Sequence, residues 1–220
     1  TQAVTQYGTY VSVSDQLELH AIDDVILGAA EELGASAGTT QDKLVRNIAA
    51  AGTNVQYCDK VGTNGAHTAV TSRAGRDTTA KLTPDEVNKA VTTLKKLKAP
   101  TINGKYVAII HPSVAYDLRS SDAWVEAHKY AGITELFTGE IGELHGVRFI
   151  ETTEAKVFNG EGCPVKTAAD ESNGTPAEYY SVYATLFLGK DAYGMIDPEG
   201  GNMEMIIKDK GQVGGPLNQF

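Results

Sequence analysis

Cysteine is scarce in this chain. Cys58 and Cys163 lie far apart, with no Cys-x-x-Cys spacing. That argues against a disulfide framework and sets free thiols in a reducing cytoplasm as the expectation. Long apolar runs are missing too; the longest is a handful of residues, which excludes a membrane-spanning helix. No secretory signal is visible. Basic charge is in short supply, with 19 Lys and Arg against 28 Asp and Glu and a formal net charge of −9. A protein built to neutralise many phosphates would carry the opposite balance. The acidity also keeps a concentrated protein soluble. The one basic cluster, Lys95, Lys96 and Lys98, falls at a predicted helix end, where cations suit the helix dipole. The chain opens on Thr1 without an initiator Met and reads as a processed product or excised fragment.

What is present is an ordinary globular composition. Its 220 residues, 41% hydrophobic and 21% charged, fit one large domain or two small ones and can bury a core without staples. Residues 4–14 are rich in β-branched and aromatic types and predict a strand. From Asp23, read as an N-cap, apolar residues recur at helical spacing as far as Ile48, and Gly52 stops them. This predicts a helix of about 28 residues, roughly 40 Å long, weakened at Gly28, Gly34 and Gly38 and open to a break near Gly38. Residues 53–82 read as a loop with an Asn64-Gly65 turn. Thr83-Pro84-Asp85-Glu86 is a capping box with proline at the first helical position.

The segment Ala108–Ala155 holds a strand, two short helical stretches, a glycine-punctuated loop and a second strand in 48 residues. The first strand is Tyr106 to Ile110. Ser113 is read as the cap of a helix through Leu118, Asp122 as the cap of another through Tyr130, and Val147 to Thr152 as a strand. Residues 159–177 read as a loop, and 178–188, apolar on both faces, as an inner strand. Tyr193–Ile196 and Met203–Ile207 read as strands around a turn, followed by a glycine-rich tail. Helices and strands mix without regular βαβ alternation, so the expected class is α+β.

No chemistry-bearing constellation stands out. Gly34-Ala35-Ser36-Ala37-Gly38 matches G-x-S-x-G, but a nucleophile elbow needs a strand–turn–helix context and this match lies inside a helical period. His20, His67, His111, His128 and His145 show no i,i+4 pair and no H-E-x-x-H. His111, between a strand and Pro112, suits capping or packing. Glu140, Glu143, Glu151 and Glu154 cluster in sequence; a solvated surface is the bland reading and a carboxylate pair the sharp one. No phosphate-binding loop is present. Ten tyrosines with Trp124 fit core or interface before ligand stacking. The expectation is no catalytic residue, no cofactor and no metal.

Several segments in order resemble the tailed-phage major capsid proteins of the N-four type. They are His111-Pro112 with Tyr116-Asp117-Leu118-Arg119, then Trp124, then Ala127-His128-Lys129-Tyr130-Ala131. Gly139-Glu140-Ile141-Gly142, Gly146-Val147-Arg148-Phe149 and Glu151-Thr152-Thr153-Glu154-Ala155 follow, with Gln6-Tyr7-Gly8-Thr9-Tyr10-Val11 upstream. The likeness spans about residues 4–210 and weakens at 59–82 and 159–177. It implies the Hong Kong 97-type capsid fold. On that reading residues 1–58 are a peripheral domain with the spine helix, 59–189 an axial domain, and 190–220 the return to the peripheral domain. It also implies that the amino-terminal arm and most of the extended loop precede residue 1, and that the last strand follows Phe220.

The function implied is structural: a subunit of a tailed phage or prophage, self-assembling into an icosahedral shell around DNA. Its partners would be other copies of itself in hexamers and pentamers, with scaffolding, portal or decoration proteins. No sequence-specific nucleic-acid binding and no membrane are implied. The location would be the virion capsid, and the host cytoplasm during assembly. The alternatives are a tail or decoration protein on a preformed shell, or a carboxylate-based hydrolase using some of Glu140, Glu143, Glu151 and Glu154.

Overall fold

A computed structural model describes residues 24–122, 124–125, 140–166 and 179–194, with shorter pieces at 5, 7–14, 17, 20 and 206–207. The chain divides into two compact units, Thr1–Val45 with Met195–Phe220, and Arg46–Gly194. Helix and sheet are mixed, as expected.

Helix α1 spans Val25–Ala50, 26 residues, and runs unbroken through Gly28, Gly34 and Gly38. Asp24 Oδ1 accepts the Ile26 and Leu27 N–H groups at 3.0 and 3.1 Å, satisfying two orphan donors of the first turn. The predicted cap, Asp23, lies outside the described residues. Thr39 and Thr40 hydroxyls donate to the carbonyls of Ala35 and Ser36, so their polar groups are met within the helix. No residue of α1 is buried. Among the described residues no helix is long and apolar enough to cross a membrane.

The unit Arg46–Gly194 holds the core. Strands β1 (Lys60–Val61) and β2 (His67–Thr68) form a small antiparallel hairpin inside the segment read as a loop. Its Gly65 takes φ +72, the left-handed geometry the Asn-Gly signal announces. Helix α2 (Pro84–Lys96) begins at Thr83, whose Oγ1 accepts the Glu86 N–H. The capping box is only half closed, because the Glu86 carboxylate is held elsewhere. Strand β3 (Tyr106–Ile110) leads into helix α3 (Pro112–Arg119). The predicted cap of α3, Ser113, is one of its helical residues; His111 is the cap and Pro112 takes the first turn, where its missing N–H is harmless.

Strand β4 (Glu140–Leu144) occupies what reads as a glycine-punctuated loop, and strand β5 (Val147–Glu151) follows. His145 and Gly146 between them both have positive φ, as a primed two-residue hairpin turn requires. The register shifts between Glu140 and Gly142, so the glycine marks a bulge and not the end of the strand. Strand β6 (Val157–Phe158) pairs antiparallel with β7 (Val182–Tyr183), and β8 (Leu186–Leu188) completes the set.

The main sheet runs β4-β5-β3-β8, with β3 and β5 parallel and the outer pairs antiparallel. Period-2 alternation turns Tyr106, Ala108 and Ile110 of β3 and Val147 and Phe149 of β5 to one buried face. Val87 and Val91 of α2, Ala115 and Leu118 of α3, Trp124 and Leu144 join them in one cluster. Trp124 meets Phe149 edge-on, ring centroids 5.7 Å apart. Each fully buried side chain of this size contributes about 1.5–3 kcal/mol.

The predicted inner strand 178–188 is a correction. Tyr179 forms a bridge with Val165, β7 pairs with β6, and β8 lies at the end of the main sheet. The run is apolar on both faces because it serves two sheets in succession. Residues 7–14, read as strand, carry no strand pairing and are largely exposed. A strand is stabilised by a neighbouring ladder, and none lies alongside them among the described residues. Asp122, Trp124 and Val125 are helical; the rest of the predicted helix to Tyr130 lies outside the described residues. Tyr193, Gly194, Ile206 and Ile207 are not in strands, while the remainder of the two predicted closing strands, the turn between them, residues 167–177 and the tail lie outside.

Candidate interaction surfaces

The residues that could carry chemistry are dispersed. Ser36 sits in mid-helix on α1, so the strand–turn–helix context of an elbow is not met there. A Cβ added at Gly34 or Gly38 would meet nothing within 4 Å. His67 is on exposed β2, His145 in the β4–β5 turn, and His20 is exposed; His128 lies outside the described residues. His111 Nδ1 accepts the Ser113 N–H at 3.1 Å while its ring lies 4.7 Å from that of Tyr183. The imidazole is occupied as a cap and a packing surface. Among the described residues no group of three or more His, Cys, Asp and Glu side chains could hold a metal ion.

The clustered carboxylates separate in the fold. Glu143 pairs with Lys105, Glu151 with Arg119 at 3.0 Å, and Glu154 with Arg46 at 3.5 Å. Three acids, each beside its own cation, do not make a dyad in which one carboxyl is held protonated. Glu140 is at the start of β4; its side chain lies outside the described residues.

A polar cluster that sequence reading missed sits at the start of α2. Glu86 is buried, only 4% exposed, and its carboxylate accepts Gln56 Nε2 at 3.1 Å and Lys89 Nζ at 2.7 Å. Lys89 also reaches Asp59 at 2.6 Å. The bonds to Asp59 and then Glu86 raise the Lys89 pKa. Burial pushes the neighbouring Cys58 thiol up to about 11, against a smaller opposing pull from Arg76. The cluster fastens the 56–59 segment to α2, and its raised thiol is protonated at neutral pH, the reverse of a reactive nucleophile. The spacing of Glu86 and Lys89 was the available signal, since i,i+3 residues share a helix face.

Several large apolar side chains are open to solvent among the described residues. On α1, Leu27 is 60% exposed with Ile26 beside it near one end, and Ile48 is 74% exposed near the other. Tyr10 is 88% exposed, with Tyr7 and Val11 also open. The apolar stripe of α1, Val25, Ala29, Ala30, Leu33, Ala37, Leu44 and Val45, is only half-buried.

Comparison with known proteins follows the same line. The family model described as phage capsid protein matches residues 6–211. Among solved structures, the capsid of Ralstonia phage GP4 is similar, with a TM-score of 0.52 and 16% sequence identity. The match covers 80% of this chain and 56% of that one, so the chain spans little more than half the length of its structural neighbour. No curated protein matches.

Proposed function

The chain belongs to the phage capsid protein family, and from that premise we propose that it is a shell subunit of the Hong Kong 97-type fold. Copies self-assemble into an icosahedral container for DNA. Such a protein works by contact: each interface is modest, and closure of the shell makes the later contacts effectively intramolecular. Heterologous contacts close into rings when the rotation per subunit allows it. The sites follow the same logic. His111 is engaged as a cap and in packing, and Glu143, Glu151 and Glu154 in ion pairs.

The observation that carries the reading is α1. It has 26 residues, three glycines and no buried side chain. Most helices in proteins draw their stability from packing an apolar face, and glycine weakens the intrinsic propensity. A helix of this composition is best supported if its open apolar residues, Ile26, Leu27 and Ile48, are covered in an assembly. Within this proposal residues 1–58 and 190–220 form the peripheral domain and 59–189 the axial domain. The location is the virion capsid, with assembly in the bacterial cytoplasm. Scaffolding, portal or decoration proteins are further partners. The family is one of structural proteins, and the proposal assigns no catalysis.

Electron microscopy of the full-length protein, expressed alone and with its phage partners, tests this. Shells or capsomer-like rings are expected. A protein that stays monomeric under every condition removes the proposal.

A further inference from the structure

We propose that Arg73 and Lys156, gathered on the ring of Phe158, form a contact for the phosphate backbone of double-stranded DNA. The inference rests on the shell reading and adds to it a place where the container touches its contents. Arg73 holds its guanidinium carbon 3.6 Å from the centroid of the Phe158 ring. Lys156 Nζ lies 5.5 Å from the same centroid and is steadied by Asn47 Oδ1 at 3.0 Å. The two charges are therefore at most about 9 Å apart. Further along the same pairing, Lys166 Nζ lies 5.9 Å from the Tyr180 ring. Phe158 itself is fixed by its ladder to Val182 and by the Cys163 thiol, which donates to its carbonyl.

The shared Phe158 ring sets Arg73 and Lys156 apart from other cations that also lack a carboxylate partner among the described residues, such as Lys95, Lys96, Lys98 and Lys190. Arg46, Lys60, Lys81, Lys89, Lys105 and Arg119 each have a carboxylate within salt-bridge distance. Among the described residues Arg73 and Lys156 have none. An aromatic ring orients a cation without neutralising it. A guanidinium stacked by its face keeps its N–H edge for bidentate recognition of phosphate. Both side chains are half-buried, so little rotamer freedom remains to be lost on binding. Duplex DNA fits this pair better than an acidic protein does. It presents a phosphate for about every 1.7 Å of axis, so two fixed cations find partners in any register. With a net charge of −9 on the chain, the contact is loose and salt-labile.

The test is a salt titration of full-length protein with a fluorescent 25–30 base-pair duplex of mixed sequence, followed by anisotropy. Weak binding indifferent to sequence is expected at low salt. Arg73→Ala with Lys156→Ala should lower the slope of log K against log salt by about 1.8, or about 0.9 for each phosphate no longer neutralised. Lys81→Ala with Lys105→Ala, which removes paired cations, should leave it unchanged. If the first variant melts early, Arg73→Gln with Lys156→Gln removes the charges while keeping part of the aliphatic stem, and gives the same readout. Absence of binding by the unmodified protein, equal slopes for all variants, or competition by polyglutamate as strong as by DNA overturns the inference. Microscopy of the same samples separates the two readings, because shells with unaltered slopes sink this DNA contact and leave the shell proposal standing.

Discussion

Glu86 shows how one side chain can serve local and tertiary structure at once. Its N–H is held by the Thr83 cap while its carboxylate collects Gln56 and Lys89. Glu86→Ala takes the carboxylate from the exposed Gln56 amide and from Lys89, which keep the residue-86 carbonyl and Asp59 as acceptors. The expected loss is about 0.5–1.5 kcal/mol, because both partners reach solvent. It is read as a melting temperature lower by about 2–4 °C per kcal/mol. Cys58 adds a pH dependence. Its thiol ionises near 9.0 when unfolded and only at about 11 in the fold, chiefly because burial disfavours the thiolate. Between those values the unfolded chain binds fewer protons, so the contribution is intact below pH 9 and is lost as pH rises towards 11. Urea midpoints measured across pH 8–11 should fall over that window, and Cys58→Ala should flatten this part of the profile. At residue scale the capping role of Thr83-Pro84 was legible, because a helix start is a local pattern. The wider cluster was not, since Gln56, which meets Glu86, and Asp59, which meets Lys89, arrive from a separate segment.

Among the elements, β3 was plain as an apolar run between the Asn103-Gly104 turn and Pro112, β5 was plain as a strand, and β4 was hidden by its glycine. A bulge accommodates Gly142 without ending the ladder, and the primed turn at His145-Gly146 then sets the hairpin register. The run 178–188 misled for the converse reason: continuous apolarity does not say whether one sheet or two receive it. Gly189 shows how closely β8 leaves the sheet. A Cβ there would stand 2.6 Å from the Pro100 carbonyl oxygen, whose lone pairs already serve the Lys190 N–H at 2.9 Å. Backbone must move to admit it, so Gly189→Ala should destabilise by about 1–3 kcal/mol, checked by chemical denaturation. Phe149→Ala removes the centre of the core and its packing on Trp124. About 3–5 kcal/mol is expected, together with a change in Trp124 fluorescence.

For the whole molecule, the contrast lies between a unit with a dense core and a long helix with none. Hydrogen exchange should report it. In unassembled full-length protein the amides of α1 should exchange faster than those of β3 and β5, whose ladder is buried. In assembled particles the α1 amides should become protected. Equal exchange in both states, followed by mass spectrometry, would mean that assembly does not cover the helix. The acidic balance belongs to this scale as well. On the proposed shell reading, it would limit how tightly the container holds nucleic acid.

The sequence by itself determined the α+β class, the long helix, the two central strands, the start of α2 and the absence of a local catalytic motif. These rest on periodicity, capping chemistry and composition, which are local. The ordered likeness to phage capsid proteins was also readable there, and the family match confirms it. Only the tertiary structure decided which acids meet which cations, that 178–188 divides between two sheets, and that two cations converge on Phe158. Each depends on residues far apart in the chain meeting through packing, and no local pattern encodes that.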